Sequence, residues 1–374
     1  MFNTLFKRST LAAIVLLCVM SSCKKGETSN PSGPSKSDTS VVKTDTTTHI
    51  YITGSARTNS NTYAKYWKDG VAYDLDTNGT NGSVGYCIAI NDNNIYVGGT
   101  AGKKASYWKN GKYAFLTNGV GNGAVISGLA FSGTDFYTVG YEITTANNEA
   151  LASVWKNGSQ TYLTSVPTAS GATSILINGI DAYISGGYTT GGYAGPFTDY
   201  PAYWKNGVLQ TLPIDVPSGH LINGLASAYA YGVALQGSDV YACGYTSSST
   251  GKGVATYWKN GIEIKLTDGS TYARVNCIGV LGSDIYMGGY VGTPSGKSIA
   301  MSWKNGVPVP LTDGTQYAAV NAIAVHGSDV YFAGYLENTD GSVSATYWKN
   351  GNIHSLSGPS TFSQANGIVV TGGK

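Results

Sequence analysis

Charged residues are scarce in this chain: Asp, Glu, Lys and Arg make up 12% of its 374 residues, about half the share usual in soluble domains. The 23 basic and 21 acidic side chains leave a net charge of +2. No Lys/Arg run forms a stripe that could track a phosphate backbone, which excludes nucleic acid as a partner. Histidine is scarce too, and His49, His220, His326 and His354 fall at unrelated positions. No Ser/His/Asp or Cys/His set accompanies them, so no catalytic residue is assigned. Five cysteines occur without a CxxC pair or regular spacing, which argues against a zinc site or a disulfide framework. The stretch DLDTNGTNGSVG places Asp74, Asp76, Asn78 and Gly79 at the spacing of a calcium loop, but its twelfth position is Gly85 where a bidentate Glu is needed. No cofactor motif is present, and neither a metal nor a cofactor is expected.

The N-terminus also lacks an apolar run long enough to span a bilayer. Leu11 to Met20 is a ten-residue run that follows Lys7 and Arg8, the layout of an export signal. Its end, Met20-Ser21-Ser22-Cys23, resembles the lipobox of bacterial lipoproteins, with Met20 where Leu is usual. The resemblance implies a signal peptide over residues 1–22 and acylation of Cys23. The lipid would anchor the chain in the bacterial cell envelope, at the outer membrane or cell surface in preference to the cytoplasmic membrane. Residues 23–48, rich in Ser, Thr, Lys and Pro, cannot bury enough apolar surface to fold and read as a flexible tether. Of the remaining cysteines, Cys277 stands in VNCIGV where a later segment has VNAIAV with Ala322, so a small core residue is expected there. Pairing of Cys243 with Cys277 stays open.

What the chain has in quantity is Gly (51) and Tyr (28), the composition of strands and tight turns. All seven tryptophans, Trp67, Trp108, Trp155, Trp204, Trp258, Trp303 and Trp348, sit in one repeated string of the YWKNG type. They recur at intervals of 41, 47, 49, 54, 45 and 45 residues, the length of a four-stranded propeller blade. Each unit opens with a nearly all-apolar strand, as in Val275 to Leu281, and a Gly-Ser-Asp turn leads to a second strand that ends in Gly-Gly or a close variant. A loop of variable length precedes a third strand carrying Ala, Tyr and Trp. Asn-Gly, both residues at positive φ, then turns the chain into a fourth. One Trp per unit would fill the same inter-blade slot. His49 to Ser55 matches a second strand with no first before it, and Ala365 to Lys374 matches a first strand with no second after it. Together they complete one blade and close the ring. The expectation is an all-β, seven-bladed β-propeller of four-stranded blades over residues 49–374, monomeric, with Ser218 to Gly232 bulging as an inserted turn.

Second strands such as Asn93 to Gly99 and Asp284 to Tyr290 resemble the kelch-type repeat, whose second strand ends in a double glycine. The third and fourth strands are similar to the HAF-type bacterial extracellular repeat, in which Ala, Trp, Gly and Leu recur at fixed spacing. Ala64, Trp67, Gly70 and Leu75 show that spacing, as do Ala105, Trp108, Gly111 and Leu116. Pro201 breaks it in the fourth unit, and the His and Phe of the HAF core are absent, so the resemblance implies architecture and no activity.

Function then belongs to the parts that drift. Lys68, Lys109, Lys156, Lys205, Lys259, Lys304 and Lys349 would ring the hairpin face, where Asp135, Asp239, Asp284 and Asp329 are expected to compensate them. The opposite face carries loops of varied length, and Tyr141, Tyr188, Tyr245, Tyr290 and Tyr335 leave second strands toward it. Tyr193, Phe197, Asp199 and Tyr200 crowd one of those loops. Aromatic planes beside polar side chains suit sugar rings, which makes these nine the candidate ligand-binding residues; the repeated tyrosines could equally cap the blades. The expected function is a non-enzymatic, envelope-anchored binding or scaffold module for a glycan or an envelope protein. The alternative is a polysaccharide-processing hydrolase or lyase with Glu142, Glu149, Asp199, Glu337 and Asp340 as candidate acids and bases.

Overall fold

The computed structural model describes residues 47–58, 61–77, 79–80, 82–119, 122–145, 148–164, 169–190, 198–215, 227–358 and 361–372. The signal segment, Cys23, the tether, Tyr193, Phe197, His220 and the first part of the expected inserted turn lie outside them. Among the described residues there is no helix, and the strands form antiparallel meanders of four, each holding one tryptophan. In the Trp303 unit, Ala273–Leu281, Asp284–Gly292, Ser298–Lys304 and Val307–Pro310 pair side by side. Five units are separate sheets. The Trp348 unit is joined to the Trp67 unit by one parallel bridge, Val343 to Phe362. That Trp67 unit is assembled from both ends of the chain: Phe362–Thr371 pairs antiparallel with His49–Thr58. First strands pack on one another in chain order, and Phe362–Thr371 lies against both Ala318–His326 and Ser83–Asn91.

The hairpin chemistry is as the string foretells. Every motif Asn, and Asp69 in its place, sits at φ 50–53°, and every following Gly at φ 80–86°, the type I′ geometry that matches strand twist. The asparagine also works as a latch. In the Trp348 unit the Val330 N–H donates to Asn350 Oδ1 (2.9 Å), Asn350 Nδ2 donates to Asp329 (2.7 Å), and Lys349 pairs with the other Asp329 oxygen at 2.8 Å. The same three contacts recur at Asp135, Asp181, Asp239 and Asp284, so aspartates compensate five of the seven motif lysines. The Trp67 unit exchanges the roles, with His49 where Asp is usual, paired to Asp69 at 2.6 Å.

The tryptophans are at most 2% exposed and each fills a slot against the preceding unit. Trp303 meets Tyr241, Cys243 and Ala255, and Trp348 meets Cys277 and Ala300. Trp108 and Trp258 donate their indole N–H to the carbonyls of Asp76 (2.5 Å) and Pro213 (2.8 Å). Cys87, Cys243 and Cys277 are free, which closes the question of a Cys243–Cys277 bridge; burial pushes all three thiols up.

Candidate functional site

Each first strand is interrupted once by a β-bulge against its second strand. The register skips one residue between Gly85 and Cys87, Ile126 and Gly128, Ala172 and Ser174, Ala230 and Gly232, Val275 and Cys277, and Val320 and Ala322. In the C-terminal strand Ala365 and Gly367 face the adjacent residues Gly54 and Thr53. The extra residues are Tyr86, Ser127, Thr173, Tyr231, Asn276, Asn321 and Asn366. A bulged residue has no partner across the ladder and re-aims its side chain, and all seven line one cavity of about 670 Å³. Two residues further along each strand stands a branched aliphatic, Ile88, Leu129, Ile175, Val233, Ile278, Ile323 or Ile368, which lines the same cavity. A polar ring is thus followed by an apolar one.

The bulge accounts for the glycine inside each second strand, which the sequence suggests as its end but which the strand runs past. A Cβ on Gly289 would lie 1.9 Å from the Arg274 carbonyl oxygen, and at Gly54, Gly99, Gly140, Gly186, Gly244 and Gly334 the same approach is 1.8–2.1 Å. Only a residue without a side chain lets the two backbones come that close. Four of the ring residues are struts to the next unit. Asn276 donates to the Val320 carbonyl (2.6 Å), Asn321 to Ala365 (2.9 Å), Asn366 to Gly85 (3.0 Å) and Thr173 to Ala230 (2.9 Å).

Arg274, two residues before Asn276, is the single charged side chain in the cavity lining, which contains no carboxylate. Its guanidinium carbon sits 4.9 Å from the Tyr231 ring centroid and 5.4 Å from that of Tyr290. Nη1 donates to the Tyr231 hydroxyl at 3.3 Å, and Nε is buried without a partner. Burial pushes the Tyr231 phenol up, and the Arg274 charge offsets part of that rise. A second cavity of about 600 Å³ lies beside it among the Trp258, Trp303 and Trp348 units, with Lys252, Tyr272, Tyr290, Lys297 and Tyr317 in its wall. Tyr335 lines both cavities.

Of the aromatic candidates, Tyr290 and Tyr335 therefore meet where the two cavities adjoin. Tyr245 stacks on Tyr231 with centroids 6.1 Å apart and shares a hydrogen bond with Ser227 (2.8 Å). Tyr188 and Tyr200 stack on each other at 5.3 Å, Asp199 accepts from Thr189 and Ser227, and Tyr141 sits opposite Val125 in its ladder. None of these five lines either cavity. The proposed acids and bases are dispersed: Glu142 accepts from Gln160 and Tyr162, Glu337 pairs with Lys297 at 2.6 Å, Asp340 accepts from Ser342, and none lines either cavity. Among the described residues no group of three or more His, Cys, Asp and Glu side chains gathers to hold a metal. The sequence reading missed the bulge ring and Arg274. The signals were present in VNCIGV, VNAIAV and ANGIVV, where Asn recurs, and in an arginine inside an apolar strand of a chain with only three, Arg8, Arg57 and Arg274.

The fold is that of a β-propeller, and no family model and no curated protein matches the chain. Among solved structures, a puromycin hydrolase variant complexed with PGG superposes with a TM-score of 0.54 at 10% identity, covering 83% of this chain and 53% of that one. The β-propeller domain of the Trilobed protease from Pyrococcus furiosus gives 0.49 at 10% identity, covering 84% of this chain and 95% of that domain. A puromycin-hydrolyzing peptidase of Mycobacterium tuberculosis gives 0.49 at 11%, covering 82% and 52%. The chain spans about half the length of the two puromycin-cleaving enzymes. At such identities the likeness is one of fold. It nevertheless runs against the function read from the loops, a non-enzymatic module for a glycan or an envelope protein: the structure that shares this fold is that of a hydrolase. The loop reading rested on aromatic planes beside polar side chains in loops of varied length, while several of those rings are engaged with one another.

Proposed function

We propose that this chain is a seven-bladed, peptidase-related propeller whose central cavity receives peptide. Seven blades are supported by one tryptophan per meander, by the cyclic contact of first strands, and by the Asn366 strut that ties the last first strand to the Trp108 unit. The observation that carries the peptide reading is the ring of hydroxyl and amide side chains above an aliphatic ring, at the centre of a fold shared with a puromycin hydrolase. Polar groups of this kind pair with peptide amides, and branched aliphatics accommodate side chains. The lipobox-like Met20 to Cys23 supports an anchor in an envelope membrane as part of this reading, and the glycine that prompted the kelch resemblance coincides with the close backbone approach at the bulges. Intact-mass analysis of the membrane fraction would test the acylation.

The test is fluorescence polarisation of the full chain with labelled short peptides and labelled oligosaccharides, beside a Ser127→Trp variant that narrows the cavity without removing a strut. Peptide binding that the variant weakens while its melting temperature holds is expected, and mass spectrometry of the same samples reads hydrolysis. Binding of oligosaccharide and not of peptide would overturn the reading.

A further inference from the structure

We infer that the cavity holds its ligand by a free carboxylate on Arg274, so that a peptide enters with its C-terminus foremost. The ligand's peptide nature rests on the proposed function; the anion site rests on the cavity itself.

Arg274 is half-buried, and a guanidinium partly withdrawn from water is costly unless it is paired. Arg274 stands in a lining without one acidic residue, and its fixed neighbours are the faces of Tyr231 and Tyr290. Aromatic faces orient a guanidinium but do not neutralise it. One terminal N–H is used on the Tyr231 hydroxyl. The buried Nε has no partner, so the fold leaves the donors of the planar fork incompletely filled. A carboxylate fits that fork in two parallel hydrogen bonds.

Position names the rest of the ligand. Tyr290 belongs to the wall of the second cavity, and Tyr335 to the walls of both. A chain lying across the second cavity therefore presents its end to Arg274, and two residues beyond the Asn276 and Asn321 bulges Ile278 and Ile323 offer an apolar surface to the terminal side chain. The second cavity's own cations are occupied: Lys297 by Glu337 and Lys252 by the Ser270 carbonyl. A single arginine fork matches one monoanionic carboxylate better than a phosphate, which gathers several donors.

The experiment is isothermal titration of the full chain, at low salt, with an N-acetylated tripeptide ending in leucine, supplied as the free acid and as the C-terminal amide. The acid is expected to bind more tightly by on the order of tenfold to a hundredfold. Arg274→Gln brings the acid down to the amide, and Arg274→Lys, which keeps the charge and loses the fork, falls between. Equal affinity of acid and amide for the unaltered chain overturns the carboxylate inference and leaves the peptide reading standing. Binding of neither overturns the peptide reading, and this inference with it. An acid preference that survives Arg274→Gln removes Arg274 from the role. Should Arg274→Gln fail to fold, the acid-to-amide comparison on the unaltered chain and on Arg274→Lys still decides.

Discussion

Replacing Gly289 by alanine tests whether the bulges build the site. The added Cβ would stand 1.9 Å from the Arg274 oxygen, 2.9 Å from the Arg274 carbonyl carbon and 2.9 Å from Val275 Cα. All three are backbone atoms, so no side chain can swing aside. Real Cβ contacts under 3.0 Å are essentially unknown, which means the first strand must retreat by about 1 Å, a strain of the overpacking kind that costs ~1–3 kcal/mol. The backbone-on-backbone clash places Gly289→Ala at the upper end of that range. Pairing of Arg274 with Tyr290 and of Val275 with Gly289 is lost or stretched, and Arg274 moves with it. Gly358, which has nothing within 4 Å of its Cβ position and no positive φ, is the control. Urea unfolding followed by tryptophan fluorescence reads the difference. Deleting Asn276 in the Gly289→Ala background removes the extra residue, restores a regular ladder and should recover part of the lost stability. If Gly289→Ala unfolds at the same midpoint as Gly358→Ala, the bulge does not depend on that glycine and the reasoning fails.

Other expectations follow from the same structure. Trp303→Ala empties the slot between two units and should cost ~3–5 kcal/mol in denaturant unfolding; a cost below about 1 kcal/mol would mean that the buried indole is not a structural element. Asn350→Gly keeps the left-handed turn and loses the latch, whereas Asn350→Ala, at φ 50°, loses both and should melt lower; equal melting temperatures would refute the ordering. The carboxyls of Asp239, Asp284 and Asp329 are held below the ordinary value, first by Lys259, Lys304 and Lys349. Their contribution is therefore complete above the unfolded value of about 3.9 and is lost as pH falls through the lower folded value. Melting temperature should fall below about pH 4, less steeply for an Asp284→Asn, Asp329→Asn double variant; parallel curves would refute it. Asn366→Ala removes the strut to Gly85 and should cost about 1 kcal/mol, read as faster amide exchange in Phe362–Thr371.

The scaffold was legible because its instructions are local and repeated. Asn-Gly dictates a hairpin from two adjacent residues, and one tryptophan per repeat announces one slot per unit. The chain ends could be matched because His49 to Ser55 and Ala365 to Lys374 each keep half of a recognisable pattern. The bulge ring was hidden for the opposite reason. A bulge is a property of two strands, and its extra residue varies from Tyr86 through Ser127, Thr173 and Tyr231 to the Asn of three units, so no one residue type marks it in every unit. Its trace in the sequence was the glycine of the facing strand, which could be recognised as recurrent but not as the space left for a carbonyl. Aromatic density drew the reading outward to Tyr188 and Tyr200, which stack on each other, and away from Arg274, whose meaning depends on having no acid around it.

A near-symmetric ring acquires an asymmetric site through the residues that break its repeat. Where the bulge residue is Thr173, Asn276, Asn321 or Asn366, its side chain bonds the next unit's backbone and ties two units together. Among the described residues Tyr231 makes no such bond to a carbonyl. Between the Trp258 and Trp303 units the link is instead Arg274 on the face and hydroxyl of Tyr231. Among the described residues that link is the one tie at a bulge position that carries a charge, and a ligand bound to Arg274 would bear on it directly. Ligand binding and the packing of those two units are then coupled, so a carboxylate ligand should raise the melting temperature of the unaltered chain. In Arg274→Gln, which removes the tie and the receptor together, the same ligand should raise the melting temperature no more than its C-terminal amide does.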